Sequence, residues 1–266
     1  MGGFGLIVVG DEILSGKRQD KHFAKVVELL AERGLQLSWA EFVGDDPQRL
    51  TASLRRSFAG ADIVFSCGGI GATPDDHTRQ CAAAALGLPL QLHPEGRRHI
   101  EERIRETARE AGREPDFAAP DNLQRLKMAE FPQGAALIPN PYNRIAGFSV
   151  MQGDAPHHFV PGFPVMAWPM IAWVLDTHYA HLFHREPYSE RALLVYEQAE
   201  AALTPLMERL QREHEGARVF SLPSVGDAQT RRHIELGVKG KPDAVAAAYA
   251  AMCAALDKLE AEYRPL

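Results

Sequence analysis

Ser66-Cys67-Gly68-Gly69-Ile70-Gly71-Ala72-Thr73-Pro74-Asp75-Asp76-His77-Thr78 is the stretch on which the reading of this chain turns. It follows the apolar run Ala61–Cys67 and leads into a helical pattern over Asp76–Leu86 that stops at Gly87. A strand that empties through glycines into a helix brings backbone N–H groups close to an anion, and the helix start adds roughly half a positive charge. The stretch is therefore built as a phosphate cradle. No Gly-Lys-Ser/Thr follows, so it is not a P-loop. It also follows the third strand rather than the first, which excludes a Rossmann fingerprint. Asp75 and Asp76 would repel a phosphate unless a cation intervenes, so a bridging Mg²⁺ is expected with Asp76 as its ligand. Thr73, Asp75 and Asp76 also suit the capping of the next helix, and one of the three is expected to cap it.

Upstream, the apolar run Phe4–Val9 reads as a buried strand, and Lys21–Arg33 has helical spacing in Phe23, Val26, Val27 and Leu30. Leu35–Val43 reads as a second strand and Pro47–Phe58 as a helix. Strands alternating with helices predict an α/β fold: a three-layer α/β/α sandwich on a mostly parallel sheet. Gly10-Asp11-Glu12-Ile13-Leu14-Ser15-Gly16 follows the first strand, as the glycine loop follows the third. Ligands of open α/β sheets bind outside the carboxyl ends of the strands, so both loops are expected at one pocket. Asp11 or Glu12 would either face that ligand or cap the next helix.

Downstream, a charged helix is expected over Pro94–Gly112, short strands at Ala135–Ile138, Ala146–Met151 and His157–Val160, and a helix over Trp168–His178. Composition changes near His184–Ser189. A strand, helix, strand, strand, helix order then follows through Arg191–Glu197, Glu200–Glu215, Arg218–Pro223, Thr230–Val238 and Asp243–Tyr263. The expected domains are residues 1–185 and a small α+β domain at 190–266.

Composition sets outer limits. The 266 residues are 45% hydrophobic and 24% charged, which suits a globular chain with a sizeable core. The net charge of -6 speaks against a general nucleic-acid binder. Cys67, Cys81 and Cys253 form no C-x-x-C pair and are read as reduced thiols of a cytoplasmic protein. The apolar stretch Phe159–Val174 is broken by Pro161, Pro164 and Pro169, so no membrane helix is expected. His178, His181 and His184 are read as a partly buried surface rather than zinc ligands. Cys67 has no base placed beside it for a nucleophilic role. Arg231-Arg232-His233 would be the one basic cluster to touch RNA, but no G-x-x-G loop accompanies it. Phe163, Met166, Trp168, Met170, Ile171 and Trp173 concentrate large apolar groups in one segment, which points to a homo-oligomer, with a dimer favoured over a trimer.

The two glycine-bearing stretches resemble the signatures of the MoaB/Mog molybdopterin-binding domain family. The resemblance is closer to its CinA-like (competence/damage-inducible protein A) branch. Val43-Gly44-Asp45-Asp46, Leu137-Ile138-Pro139-Asn140-Pro141, Ala146-Gly147-Phe148 and Val160-Pro161-Gly162-Phe163-Pro164 support that branch. The small C-terminal part resembles the KH-like module that follows in CinA proteins, and the further amidohydrolase domain of that branch is not expected in this chain. The resemblance implies a pocket for a phosphorylated pterin, such as molybdopterin, or for an ADP-ribose-like nucleotide, and a link to molybdenum cofactor biosynthesis. It also implies either adenylyl transfer or Mg²⁺-dependent pyrophosphate cleavage. On that basis Asp75 and Asp76 carry the catalytic expectation. Gly10, Asp11, Glu12, Ser15, Gly68, Gly69, Gly71, Thr73 and Thr78 carry the ligand-binding one. Ala72 stands where the family usually has proline, His22 where it has asparagine, Gln80 where it has an acid, and Val165-Met166-Ala167 where it has Ser-Glu-Met. Of these departures, Ala72, Gln80 and Met166 favour a binding-only alternative.

Overall fold

The computed structural model of the chain describes residues 2–152, 155–185, 188–227 and 229–266. They fall into two compact units, Met1–Phe183 and His184–Leu266. The composition break near His184–Ser189 lies at this division, with residues 186 and 187 outside those described.

The first unit opens with β1 (Phe4–Val9), a four-residue helix α1 (Asp11–Leu14), α2 (His22–Ala31) and β2 (Leu37–Val43). It continues through α3 (Pro47–Phe58), β3 (Ile63–Cys67) and α4 (Thr78–Leu86). Next come β4 (Leu90–Leu92), α5 (Pro94–Glu110), α6 (Pro120–Lys127), β5 (Glu130–Pro132) and β6 (Ala136–Ile138). The unit ends with β7 (Gly147–Gln152), β8 (Ala155–Val160) and α7 (Pro164–His178).

The central sheet has the order β2-β1-β3-β8-β7-β6. β1 pairs parallel with β2 and β3, and β3 pairs parallel with β8. β7 and β6 close the edge antiparallel. Successive side chains of a strand point to opposite faces. Leu6, Val8, Phe65 and Cys67 accordingly pack with α2 and α7, while Ile7, Val9 and Val64 pack with α3 and α4. Both faces of β1 and β3 are covered, which gives the three expected layers and explains why these strands read as unbroken apolar runs.

Local chemistry sets the helix limits. The Asp46 carboxylate accepts the Arg49 N–H, and Pro47 holds the first helical position, so α3 begins where its sequence says. The core stripe of α2 is His22, Val26, Leu29 and Leu30, whereas the expected Phe23 and Val27 are exposed. Helix α5 carries Arg97–Glu101 and Arg105–Glu101 pairs on its solvent side and buries Ile100, Ile104 and Ala108. Helix α7 starts at Pro164, four residues before the expected Trp168, and tolerates Pro169 inside it. Its Met170, Ile171, Val174 and Leu175 are fully buried, each worth about 1.5–3 kcal/mol. Much of the apolar segment is thus the chain's own core, and Phe163, Val165 and Trp173 remain exposed.

The second unit is β9 (Ser189–Tyr196), α8 (Glu200–Glu213), β10 (Ala217–Ser224), β11 (His233–Gly240), α9 (Pro242–Lys258) and β12 (Tyr263–Pro265). Its antiparallel sheet runs β10-β11-β9-β12. This six-element order is the split β-α-β plait, which adds the short β12 to the five elements expected. The last five residues of the expected Asp243–Tyr263 helix leave it, and Tyr263 pairs with Val195 of β9. Arg231 is not free to meet a phosphate. It makes two bonds to Glu262, 2.8 and 2.9 Å, and lies over the Tyr196 ring.

Candidate functional site

Because β1 and β3 are parallel neighbours, their carboxyl ends release the Gly10 and Gly68 loops side by side. The Gly10 N–H donates to the Val43 carbonyl at the end of β2, and the Gly68 N–H to the Val160 carbonyl at the end of β8. Gly68 has φ +112°, and a Cβ there would collide with the Val9 carbonyl oxygen, so this approach of the two loops needs glycine. Gly69 (φ +67°) is pressed against the Thr78 side chain.

Thr78 ties the glycine loop to its helix. It is buried, its hydroxyl donates to the Gly68 carbonyl at 3.0 Å, and its N–H donates to the Gly69 carbonyl at 2.9 Å. That hydroxyl holds the loop and is not turned outward, contrary to the ligand contact expected of it. None of Thr73, Asp75 and Asp76 caps α4, which starts after His77 without a side-chain cap. The Asp76 carboxylate instead turns back, accepting the Thr73 N–H at 2.8 Å and the Thr73 hydroxyl. This closes a turn ahead of the helix and leaves the carboxylate against Gly71. Asp75 is exposed, and hydrogen bonding from Thr73 holds its carboxyl below the usual range.

Asp11 does not cap the helix that follows its loop either. Its carboxylate accepts the Asp45 N–H at 3.1 Å, while the Asp45 carboxylate accepts the Asp11 N–H at 2.9 Å. The start of α2 is served instead by Asp20, which accepts the N–H groups of His22 and Phe23. Glu12 lies against Gly10, and Ser15 is exposed at the end of α1. Burial raises the Asp45 carboxyl, and the nearby carboxylates of Asp11, Glu12 and Asp75 add to the rise. The carboxyl edge of β1, β2 and β3 thus gathers negative charge that a cation would relieve.

Beneath the glycine loop lies Arg79, 4% exposed. It donates to the Gly71 carbonyl at 2.8 Å and to the Lys127 carbonyl at 3.0 Å, and its Nε has no partner. No carboxylate lies within ion-pair distance of it among the described residues, and burial pushes its pKa down against the opposing pull of Asp76 and Glu130. The sequence reading missed this residue, although its place one step after Thr78 was visible. Cys67, at the end of β3, is buried, which raises its thiol far above neutrality and leaves it inert.

A cleft of about 310 Å³ adjoins the loops, lined by Glu12, Arg18, Lys21, His22, Gly162 and Phe163 among others. Gly162 joins it to the glycine loop, since a Cβ there would lie 3.4 Å from the Gly68 Cα. His22 is buried, and its Nε2 lies 3.0 Å from the Gly162 carbonyl oxygen. Sequence reading marked His22 and the Pro-Gly-x-Pro turn separately, but their contact across 140 positions carried no local signal. Among the described residues no three His, Cys, Asp or Glu side chains are grouped to hold a metal. The histidines at 178, 181 and 184 do not share a helix, because α7 ends at His178. No helix among the described residues is long and apolar enough to cross a membrane.

Residues 5–181 match the family described as probable molybdopterin binding domain. A CinA-like protein of Anaeromyxobacter sp. (strain Fw109-5) is 37% identical over 160 residues, 60% of this chain and 37% of that protein. A CinA-like protein of Mycolicibacterium gilvum (strain PYR-GCK) is 31% identical over 239 residues, 89% of this chain and 50% of that protein. The chain therefore spans half or less of the length of these relatives. The crystal structure of CinA from Thermoplasma acidophilum, a protein described as of unknown function, superposes with a TM-score of 0.56 at 26% identity. That match covers 65% of this chain and 97% of the other.

Proposed function

The chain belongs to the probable molybdopterin-binding domain family, and from that premise we propose that its first unit binds a phosphorylated pterin or nucleotide at the carboxyl ends of β1 and β3. The observation that carries this reading is Arg79: a buried guanidinium without a carboxylate partner, bonded to the underside of the glycine loop. A buried unpaired charge is costly. An anion resting on the loop would offset that cost, and the backbone N–H groups of Gly69 and Gly71 are the donors such an anion needs. Relatives called CinA-like and a family called molybdopterin binding are consistent with this ligand class.

The donor set suits Mg²⁺. This ion is commonly held by one or two carboxylates together with substrate phosphate oxygens and waters, so three converging protein ligands are not required. Asp76, against Gly71, and the exposed Asp75 would hold it, and it would supply charge neutralisation and polarisation of a phosphoryl oxygen. Arg79 fixes the loop, Thr73 orients Asp76, and Thr78 locks the loop to α4.

The enzymatic form of this reading is Mg²⁺-dependent cleavage of an ADP-ribose-like pyrophosphate. Asp76→Asn keeps an oxygen to accept from Thr73, so folding should persist while turnover of ADP-ribose falls at least about a hundredfold. Undiminished turnover in the variant would refute the role of Asp76. A binding-only reading is favoured by Ala72, Gln80 and Met166. Gln80 is exposed with no acid in its place, and the Met166 sulfur receives the Asn143 amide at 3.5 Å. Ligand binding by the native chain without any turnover would select it. We also propose a homodimer through the exposed Phe163, Val165 and Trp173. Light scattering should return twice the chain mass at micromolar concentration, and a single-chain mass across a wide range would exclude it.

A further inference from the structure

The sheet of the first unit ends on a strand with no neighbour on its far side. β2 is the edge of the order β2-β1-β3-β8-β7-β6, and its seven residues include no Lys, Arg or Pro of the kind that blunts an exposed edge. The Gly10 N–H donates to the Val43 carbonyl, so Val43 turns its backbone groups toward β1. Backbone groups along a strand turn to alternate sides, so the N–H and C=O of Ala40 and Phe42 point away from the sheet. Both residues are exposed, and Phe42 pairs with Val8 on the face of the sheet that carries α2. The one irregularity in the β1–β2 register is at the other end, where Phe4 and Gly5 pair with Leu37 and Trp39. Above this edge α2 shows an uncharged flank. Lys25 over the Trp168 ring and Arg33 bonded to Asp176 mark the side of α2 turned to α7. Phe23, Val27 and Ala31, spaced i, i+4, i+8, lie on the opposite side, and all three are exposed.

We propose that two copies of the chain associate edge to edge, β2 pairing antiparallel with the partner's β2 about Ala40, so that one six-stranded sheet continues into the other. A lone peptide strand would satisfy the edge, but it would lie in the sheet layer and leave Phe23 and Val27 of the helix layer uncovered. A second copy brings a strand and a helix together. A two-fold axis normal to the sheet sets α2 beside the partner's α2, antiparallel to it. Val27 then faces the partner's Val27, and Phe23 faces the partner's Ala31, large against small. Centring on Ala40 places Trp39 opposite the partner's Glu41, whereas centring one residue later would set the two Glu41 carboxylates against each other. Glu41 is also held by Ser53 and Arg56, which offsets its charge. This contact is separate from the one through Phe163, Val165 and Trp173. Its few apolar groups place it among the weak interfaces, which fill above micromolar concentration.

Ala40→Cys in the full chain tests the axis. In a hydrogen-bonded antiparallel pair the Cα atoms of opposed residues are about 5.5 Å apart, within the span of a disulfide. Mild oxidation at high micromolar concentration should link this variant into covalent dimers at least about tenfold faster than Ala118→Cys, an exposed alanine between α5 and α6. Cys253 is common to both variants and Cys67 and Cys81 are buried, so the comparison isolates position 40. Adding Phe42→Lys, which sets a charge on the edge, should return Ala40→Cys to the rate of that control. Both positions on β2 are exposed, so folding should persist. In sedimentation equilibrium the native mean mass should rise between low micromolar and near-millimolar concentration, and Phe42→Lys should abolish the rise. Equal linking rates for the two cysteines would overturn the proposal, as would linking that survives Phe42→Lys. A native mass that stays constant across that range, or a rise that Phe42→Lys leaves intact, would overturn it without recourse to the cysteine variants.

Discussion

Lowering the pH from 7 to 5 should cost the first unit about 4 kcal/mol of folding stability, about 2 from each of two buried histidines. His157 and His158 are neighbours in the middle of β8. His157 Nδ1 donates to the Ala155 carbonyl at 3.0 Å, so Nε2 accepts from the Ser57 hydroxyl at 2.5 Å. His158 is held between Ser149 and Tyr179, each at 2.7 Å. Burial pushes His157 down to about 4 and His158 down to about 3, the latter helped by His178 and His157. Above the unfolded value of 6.5 both residues are neutral in both states. As the pH falls below it, the unfolded chain takes up protons that the folded chain refuses. Stability therefore drains away between 6.5 and about 4 for His157, and down to about 3 for His158. Urea unfolding at pH 7 and 5 measures this, and uptake at pH 5 should approach two protons per chain. A flat profile, or one that persists in the His157→Gln, His158→Gln double variant, would show that these rings do not carry the effect.

The second large effect is at the junction of the two loops. Gly68→Ala should destabilise the first unit by about 3 kcal/mol, combining a left-handed backbone with an atom forced onto rigid backbone. Its φ is +112°, and the colliding group is the Val9 carbonyl oxygen, which belongs to the β1 ladder and cannot step aside. Gly87 is the internal comparison. It ends α4 at φ +67° with nothing within 4 Å of an added Cβ, so Gly87→Ala should cost only about 1 kcal/mol. Equal losses at the two positions in chemical denaturation would mean that the loops are not packed against each other as described.

The difference between these glycines shows where the sequence was legible. Both mark the end of an element, and both were found by that rule. What separates them is a carbonyl oxygen more than 50 positions upstream, which no local pattern reports. The same division holds for the fold. β1 and β3 announce themselves because burial on both faces forces continuous apolar runs, and α3 because Asp46 and Pro47 fix its start. β4, β5 and β12 are three residues each, too short for any period to emerge, and β4 and β5 exist by pairing with one another. Helix α6, another element not foreseen, is only eight residues long. Helix α7 begins four residues before the expected Trp168, with Pro164 at its first position, where a missing N–H costs nothing.

The candidate site divides in the same way. Its glycines and acids stand in two contiguous stretches and were legible as a phosphate cradle. The ties that shape it were not. Asp11 to Asp45, Arg79 to Lys127 and His22 to Gly162 join residues 34, 48 and 140 positions apart. They also redirect side chains: Asp76 folds back on Thr73 where a helix cap was expected, and Thr78 turns its hydroxyl inward. Local rules gave each residue a reasonable partner, and tertiary contacts supplied another.

The most direct measurement of whether this edge of the sheet is an anion site is the thermal stability of the full chain with ADP-ribose, NAD, ATP and molybdopterin, each with and without Mg²⁺. At about 100 times its dissociation constant, a ligand of the native state adds about 2.7 kcal/mol. At least one of the four should stabilise the chain to that extent, with a larger gain when Mg²⁺ is present. If none of the four stabilises the chain at millimolar concentration, with or without the metal, the loops at β1 and β3 are not the phosphate site described.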